Sequence, residues 1–209
     1  MTGERIVGIV LAGGASTRFG GDKLAAMLHG RPLLHHAVEA VGAVAGHVIV
    51  VIGPDADEPQ LPASVAGRSS IARDAASNGG PLQGLAAGLT AIPAVDGEAA
   101  PPVVLVAGGD MPTLHPGVLG LLAATLATDP TIVALTLEDP DGAPLPMAVR
   151  PVVLPTAISL LQDNRRSLRA LLDAVPRGAV PATAWRALDP GARTLRDVDT
   201  EADLDIADA

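Results

Sequence analysis

The sequence predicts an α/β fold with a mostly parallel central sheet covered by helices on both faces. Three observations predict it. Residues 6–11, 47–52 and 102–107 are apolar, β-branched runs without polar alternation, as strands buried on both faces require. Segments with apolar residues at helical spacing lie between them, and alternating strands and helices make parallel crossovers. The 209 residues contain no internal repeat, low-complexity tract or long linker, so one domain over 1–209 is expected.

The first strand, residues 6–11, stops in Ala12-Gly13-Gly14-Ala15-Ser16-Thr17-Arg18-Phe19-Gly20-Gly21-Asp22-Lys23. Its glycines and hydroxyls preclude regular structure. Pro32 stands where a first helical residue would, and Leu33, Leu34, Ala37, Val38, Val41 and Val44 follow at helical spacing. Residues 47–52 form the second strand, closed by Gly53-Pro54, and the polar, Pro-rich 54–68 reads as loop. Ser70-Ile71-Ala72-Arg73 is a short strand ending at Asp74. Ser77-Asn78-Gly79-Gly80-Pro81 is a turn whose proline opens a helix burying Leu82, Leu85, Ala86, Leu89 and Ile92. Residues 93–102 read as a surface crossover into the third strand, 102–107, which ends at Gly108-Gly109-Asp110. Val118, Leu119, Leu122 and Leu126 mark the next helix, and 131–135 and 145–149 read as further strands. A helix carrying Leu168, Leu171, Leu172 and Val175 starts near Ser167, and Thr200-Glu201-Ala202-Asp203 reads as the capping box of a last helix.

Composition excludes several functions. Asp+Glu number 23 against 14 Lys+Arg, a formal net charge of -9, which argues against a broad basic face for nucleic acid. Phe19 and Trp185 are the only aromatics, so base reading on stacked rings is excluded. Cysteine is absent, which removes disulfides, thiolate nucleophiles and Cys-ligated metals. The N-terminus shows no signal-peptide pattern. The longest other apolar stretch, 41–52, is broken by Gly42, Gly46 and His47 and is too short to span a bilayer. A soluble cytoplasmic protein with no membrane partner is expected.

Ligands of an open parallel sheet bind at the carboxyl ends of its strands. The three main strands end in Gly13-Gly14, Gly53 and Asp110, which brings a Gly-rich loop beside a carboxylate. Such a loop presents backbone N–H groups to an anion, and Arg18 and Lys23 add positive charge; the other reading is a plain strand-to-helix connection. The spacing fits neither a Walker A loop nor a Gly-x-Gly-x-x-Gly fingerprint. Asp110 reads as a Mg²⁺ ligand, since Mg²⁺ takes few protein ligands when phosphates supply the rest, or as a cap for a helix near Thr113. Asp74 reads as a contact to a base edge or ribose, or as a turn former. Asp197 and Asp199 would share one face of a strand and either could add a metal carboxylate; acids are also favoured at the start of a last helix. His35-His36 point about 100° apart on a helix and cannot chelate together. Ser16 and Thr17 lack a nearby base. Arg165, Arg166 and Arg169 form a basic cluster at a helix start, either solvated or facing an anionic substrate.

The stretch Leu11-Ala12-Gly13-Gly14-Ala15-Ser16-Thr17-Arg18-Phe19-Gly20-Gly21-Asp22-Lys23 resembles the signature loop of nucleotidyltransferases related to molybdenum cofactor guanylyltransferase. Gly79-Gly80-Pro81-Leu82-Gln83-Gly84-Leu85 resembles that family's second glycine turn, and Gly109-Asp110-Met111-Pro112 its metal-binding Asp-x-Pro. Residues 165–172 and 197–204 are similar to its last two motifs. The resemblance implies a Rossmann-like, three-layer nucleotidyltransferase fold. It implies GTP held at Leu11, Ala12, Gly13, Gly14, Asp74 and Gly80, with Lys23 and Arg18 on the phosphates. Mg²⁺ would sit on Asp110, and GMP would pass to molybdopterin with release of pyrophosphate; Asp199 is the candidate second metal ligand, with Asp197 left open. Asp197-x-Asp199-Thr200 departs from the Asn-x-Asn-Thr of guanylyl-transferring relatives toward the cytidylyl pattern. A cytidylyl or sugar-phosphate nucleotidyltransferase therefore stays open, as does a non-catalytic nucleotide-binding module.

Overall fold

The computed structural model describes residues 5–13, 23–76, 79–93, 103–200 and 202–204. The strands in chain order are β1 (Ile6–Leu11), β2 (Met27–Leu28), β3 (Arg31–Pro32), β4 (His47–Ile52), β5 (Ser69–Arg73), β6 (Val103–Gly108), β7 (Ala134–Leu137), β8 (Met147–Val149) and β9 (Arg177–Val180). The helices are α1 (Leu33–Gly42), α2 (Pro81–Thr90), α3 (Pro116–Thr128), α4 (Leu154–Gln162), α5 (Leu168–Ala174) and α6 (Ala182–Trp185).

Seven strands form one sheet in the order β5-β4-β1-β6-β8-β7-β9, and β2 and β3 form a separate hairpin. β5, β4, β1 and β6 run parallel, β8 is antiparallel to both neighbours, and β9 is parallel to β7. β1 lies between two partners, with Gly8 opposite Val48 on one side and Leu105 on the other.

Side-chain alternation along these strands divides the core in two. Val10, Val48, Val50 and Leu105 pack with Leu34, Val38 and Val41 of α1, Val118 and Leu122 of α3, and Trp185. Ile9, Ile49, Val104 and Val106 pack on the opposite face with Leu82 and Leu85 of α2, Leu160 of α4 and Leu171 of α5. Each such fully buried Leu or Ile contributes about 1.5–3 kcal/mol over an exposed one. Gly8 sets the approach of α1, since a Cβ there would overlap the Val41 side chain.

The predicted α/β architecture is present, with differences at particular elements. Pro32 pairs with Met27 and caps α1, so the helix starts one residue later than expected. β7 starts at Ala134 rather than 131, because the Thr131 N–H and hydroxyl turn back onto the Asp129 carboxylate. Thr113 caps no helix: its hydroxyl donates to the Arg193 carbonyl, and α3 begins at Pro116 after His115. Ser167 does cap α5, its Oγ accepting the Ala170 N–H at 3.1 Å. Residues 196–199 form no strand, so no strand face carries Asp197 and Asp199, although their charges interact. Thr200 N–H and Oγ1 both donate to the Asp203 carboxylate, the expected capping contact. The crossover expected at 93–102 lies, beyond residue 93, outside the described residues. No described helix is long and apolar enough to cross a membrane.

Candidate active site

Backbone pairing continues past the carboxyl ends of three parallel strands, β1, β5 and β6, and fixes the loops there. Ala12 N–H donates to Val51 at 2.7 Å, Asp74 N–H to Ile52 at 2.9 Å, and Gly109 N–H to Leu11 at 2.9 Å. A cleft of about 690 Å³ opens at this edge, lined among others by Leu11, Gly13, Gly53, Asp74, Gly80 and Gly84. Small residues leave it room: a Cβ on Gly13 or Gly84 would stand about 4 Å from the Asp74 carboxylate, at 4.0 and 3.9 Å.

Asp74 is held where β5 ends. Burial pushes its carboxyl up, and hydrogen bonds from the Ala75 N–H and the Gln83 side chain partly offset this. Gln83, in the first turn of α2, was not singled out by motif reasoning. The available signal was its position three residues after Gly80, where a helix places a side chain back toward its own start. Gly80 opens α2 with φ 77° and ψ 170°, a conformation that only glycine adopts readily. The Arg166 carbonyl lies 2.8 Å from where its Cβ would be. That carbonyl accepts the Leu82 N–H at 3.1 Å, which ties the chain at Arg166 to the start of α2. Arg169 turns away and donates to the Gly142 carbonyl at 3.0 Å.

Lys23, Asp110 and Asp199 converge beside this edge from positions 87 and 176 residues apart. Lys23 Nζ donates to Asp110 Oδ2 at 2.9 Å and to Asp199 Oδ1 at 2.7 Å. The lysine is only 9% exposed. Burial pushes its ammonium down, yet the hydrogen bonds to Asp199 and Asp110 outweigh this and leave it above the ordinary lysine value. The segment carrying Asp199 is tied to β6, since Val198 N–H donates to the Asp110 carbonyl at 2.9 Å. Burial, then the charges of Asp199 and Asp110, push Asp197 up. Three carboxylates against one ammonium leave an excess of negative charge that favours a further cation.

Of the expected nucleotide contacts, Leu11, Gly13, Asp74 and Gly80 line the cleft together. Ala12 has its N–H taken by Val51 and the Leu11 carbonyl by Gly109, which narrows the backbone groups facing a ligand. Gly14 and Arg18 lie outside the described residues. Among the described residues no three His, Cys, Asp or Glu could hold a metal by themselves. Mg²⁺ needs fewer, keeping waters and taking one or two carboxylates plus phosphate oxygens. Asp110 and Asp199 already aim oxygens at one cationic point, and this donor set fits Mg²⁺.

Residues 8–179 match the model of the MobA-like NTP transferase domain. The chain belongs to this family. It is 29% identical over 206 residues to a probable molybdenum cofactor guanylyltransferase of Chloroflexus aggregans, covering 97% of this chain and 93% of the relative. A protein of the same description from Mycobacterium avium is 31% identical over 204 residues, covering 96% and 93%. The crystal structure of a molybdopterin-guanine dinucleotide biosynthesis protein A from Archaeoglobus fulgidus shares the fold, with a TM-score of 0.74 at 22% identity over 97% of this chain and 96% of that one. As a MobA-like NTP transferase, the chain is a nucleotidyltransferase.

Proposed function

We propose that the chain acts as a single nucleotidyltransferase domain that transfers GMP from GTP to the terminal phosphate of molybdopterin, with Mg²⁺, in the cytoplasm. The observation that carries this reading is the buried Lys23 between Asp110 and Asp199, next to a cleft bordered by Gly13 and Asp74. The guanylyltransferase names of two near full-length relatives support the choice of substrates.

An oxygen of the acceptor phosphate forms a bond to the α-phosphorus of GTP while the bond from that phosphorus to the bridging oxygen breaks. The electron pair departs with pyrophosphate. A phosphate nucleophile is already ionised near neutral pH, so no general base is needed. Repulsion between two anions is the obstacle, and the protein contributes positioning and electrostatics. Asp74, when ionised, accepts the adjacent N–H donors of the guanine edge. Gly13 lets the phosphates approach the backbone, and Lys23 and Arg18 supply positive charge. Asp110 and Asp199 would hold Mg²⁺, which when bound neutralises charge on the α-phosphate and the leaving pyrophosphate. With a net charge of -9, the molecule repels such substrates at long range, so these groups act locally.

The test is pyrophosphate release from each of the four triphosphates, with molybdopterin or a sugar phosphate as acceptor. GTP with molybdopterin is the expected pair. A preference for CTP or for a sugar phosphate replaces the substrate reading. Triphosphate binding that survives chelation, with no turnover on any acceptor, makes the chain a binding module instead.

A further inference from the structure

Lys23 is the sole lysine among the 14 Lys+Arg of the chain. It is also buried, with both observed hydrogen bonds directed at the carboxylates assigned above to the metal. A bound Mg²⁺ takes its oxygens at about 2.0–2.1 Å. The ammonium already sits 2.9 Å from Asp110 Oδ2 and 2.7 Å from Asp199 Oδ1. Ion and ammonium therefore compete for one pair of carboxylates, and two cations cannot share so small a space without strong repulsion. A lysine suits exchange of partners. Its ammonium is a compact charge on a flexible stem with three donors, whereas an arginine fork would lock onto the carboxylates.

We propose that Lys23 is an internal counter-cation which keeps the Asp110–Asp199 pair closed to a divalent metal until a triphosphate arrives to receive the ammonium. Metal and nucleotide then load together, and the metal does not load first. With no nucleotide, the lysine cancels part of the local negative charge and holds the segment around Val198 against the end of β6. A triphosphate offers the ammonium anionic oxygens of equal strength, and its departure frees two carboxylate oxygens for the metal that enters with the phosphates. This inference rests on the metal placement proposed above.

The sole lysine makes a direct test simple. Protein labelled with ¹⁵Nζ-lysine gives one side-chain ammonium resonance, from Lys23. The expected result is a resonance unmoved by millimolar Mg²⁺ alone and shifted when Mg²⁺ is added with a non-hydrolysable α,β-methylene GTP analogue. Movement with Mg²⁺ alone overturns the proposal, as does a resonance that stays in place while the ³¹P signals show the analogue bound. If those ³¹P signals do not respond at all, the substrate reading fails rather than the exchange.

A second measurement uses Mn²⁺ as probe, followed by electron paramagnetic resonance without nucleotide. Lys23→Met, and Lys23→Gln as an alternative that keeps a donor, should each bind Mn²⁺ at least tenfold more tightly than wild type. Equal or weaker binding by a folded variant overturns the proposal. Failure of Mn²⁺ to respond to Asp110→Asn in the Lys23→Met background instead removes the metal from these carboxylates. Should neither lysine variant fold, the ammonium resonance of the wild type decides alone.

Discussion

Replacing Gly80 by alanine tests how the start of α2 is built. At φ 77° and ψ 170°, an alanine there costs about 1–3 kcal/mol in backbone strain. Its Cβ would also stand 2.8 Å from the Arg166 carbonyl oxygen and 3.0 Å from the Arg166 Cβ, and such overpacking costs about 1–3 kcal/mol more. Arg166 cannot simply retreat, because its carbonyl holds the Leu82 N–H at 3.1 Å. Taking about 3 kcal/mol as the sum, and roughly 2–4 °C of Tm per kcal/mol at this chain length, Gly80→Ala should lower Tm by about 6–12 °C. Gly120 is the internal control. It lies inside α3, and nothing stands within 4 Å of where its Cβ would be, so Gly120→Ala should stabilise by about 0.5–1 kcal/mol. Urea titrations of both variants and wild type, read by circular dichroism, give the two differences. A Gly80→Ala loss below about 1 kcal/mol would show that the backbone conformation and the Arg166 contact do not control this helix start; a Gly120→Ala loss of any size would show that helix propensity does not govern the control position.

Asp110→Ala should fold yet lose on the order of 10²-fold or more in turnover, measured by pyrophosphate release; near-wild-type turnover removes Asp110 from the mechanism. The Asp74 carboxyl is raised by burial, so its ionised form develops at higher pH than an ordinary carboxylate's. GTP binding should weaken as pH falls through that raised pKa, and Asp74→Asn should abolish this limb. The same shift makes ionisation of Asp74 a cost to folding, absent at low pH and complete once pH has risen through the raised value. Asp74→Asn should therefore be at least as stable as wild type at neutral pH, as checked by urea titration. Leu122, fully buried between α3 and the sheet, should cost about 2–5 kcal/mol on change to alanine without altering GTP affinity per folded molecule.

The elements legible in the sequence were those whose local pattern agrees with their tertiary environment. β1, β4 and β6 are uniformly apolar because both faces are covered, and the stripes of α1, α2 and α3 face one core layer each. β9 escaped notice because Arg-Gly-Ala-Val has little apolar content; it is a strand because its backbone pairs with β7. α4 begins without a side-chain cap and carries β-branched Thr156 and Ile158; its start signal is Pro155 in the first turn alone, and its packing against α2 and α5 holds it as a helix. The two-residue strands β2 and β3 are too short for any periodicity. In the site, Asp110 and Asp74 were legible as strand-terminal carboxylates. Gln83 was not, because its role depends on where α2 sits relative to β5.

Local sequence was enough to determine that strands and helices alternate, that the sheet is buried on both faces, and that glycines and carboxylates gather at one edge of it. Those properties follow from side-chain periodicity and turn chemistry, which act over a few residues. Only the tertiary structure decided that Lys23 sits between Asp110 and Asp199. Chain order says nothing about which of many carboxylates a buried ammonium meets; that depends on the β1–β6 register and on the backbone bond from Val198 to Asp110.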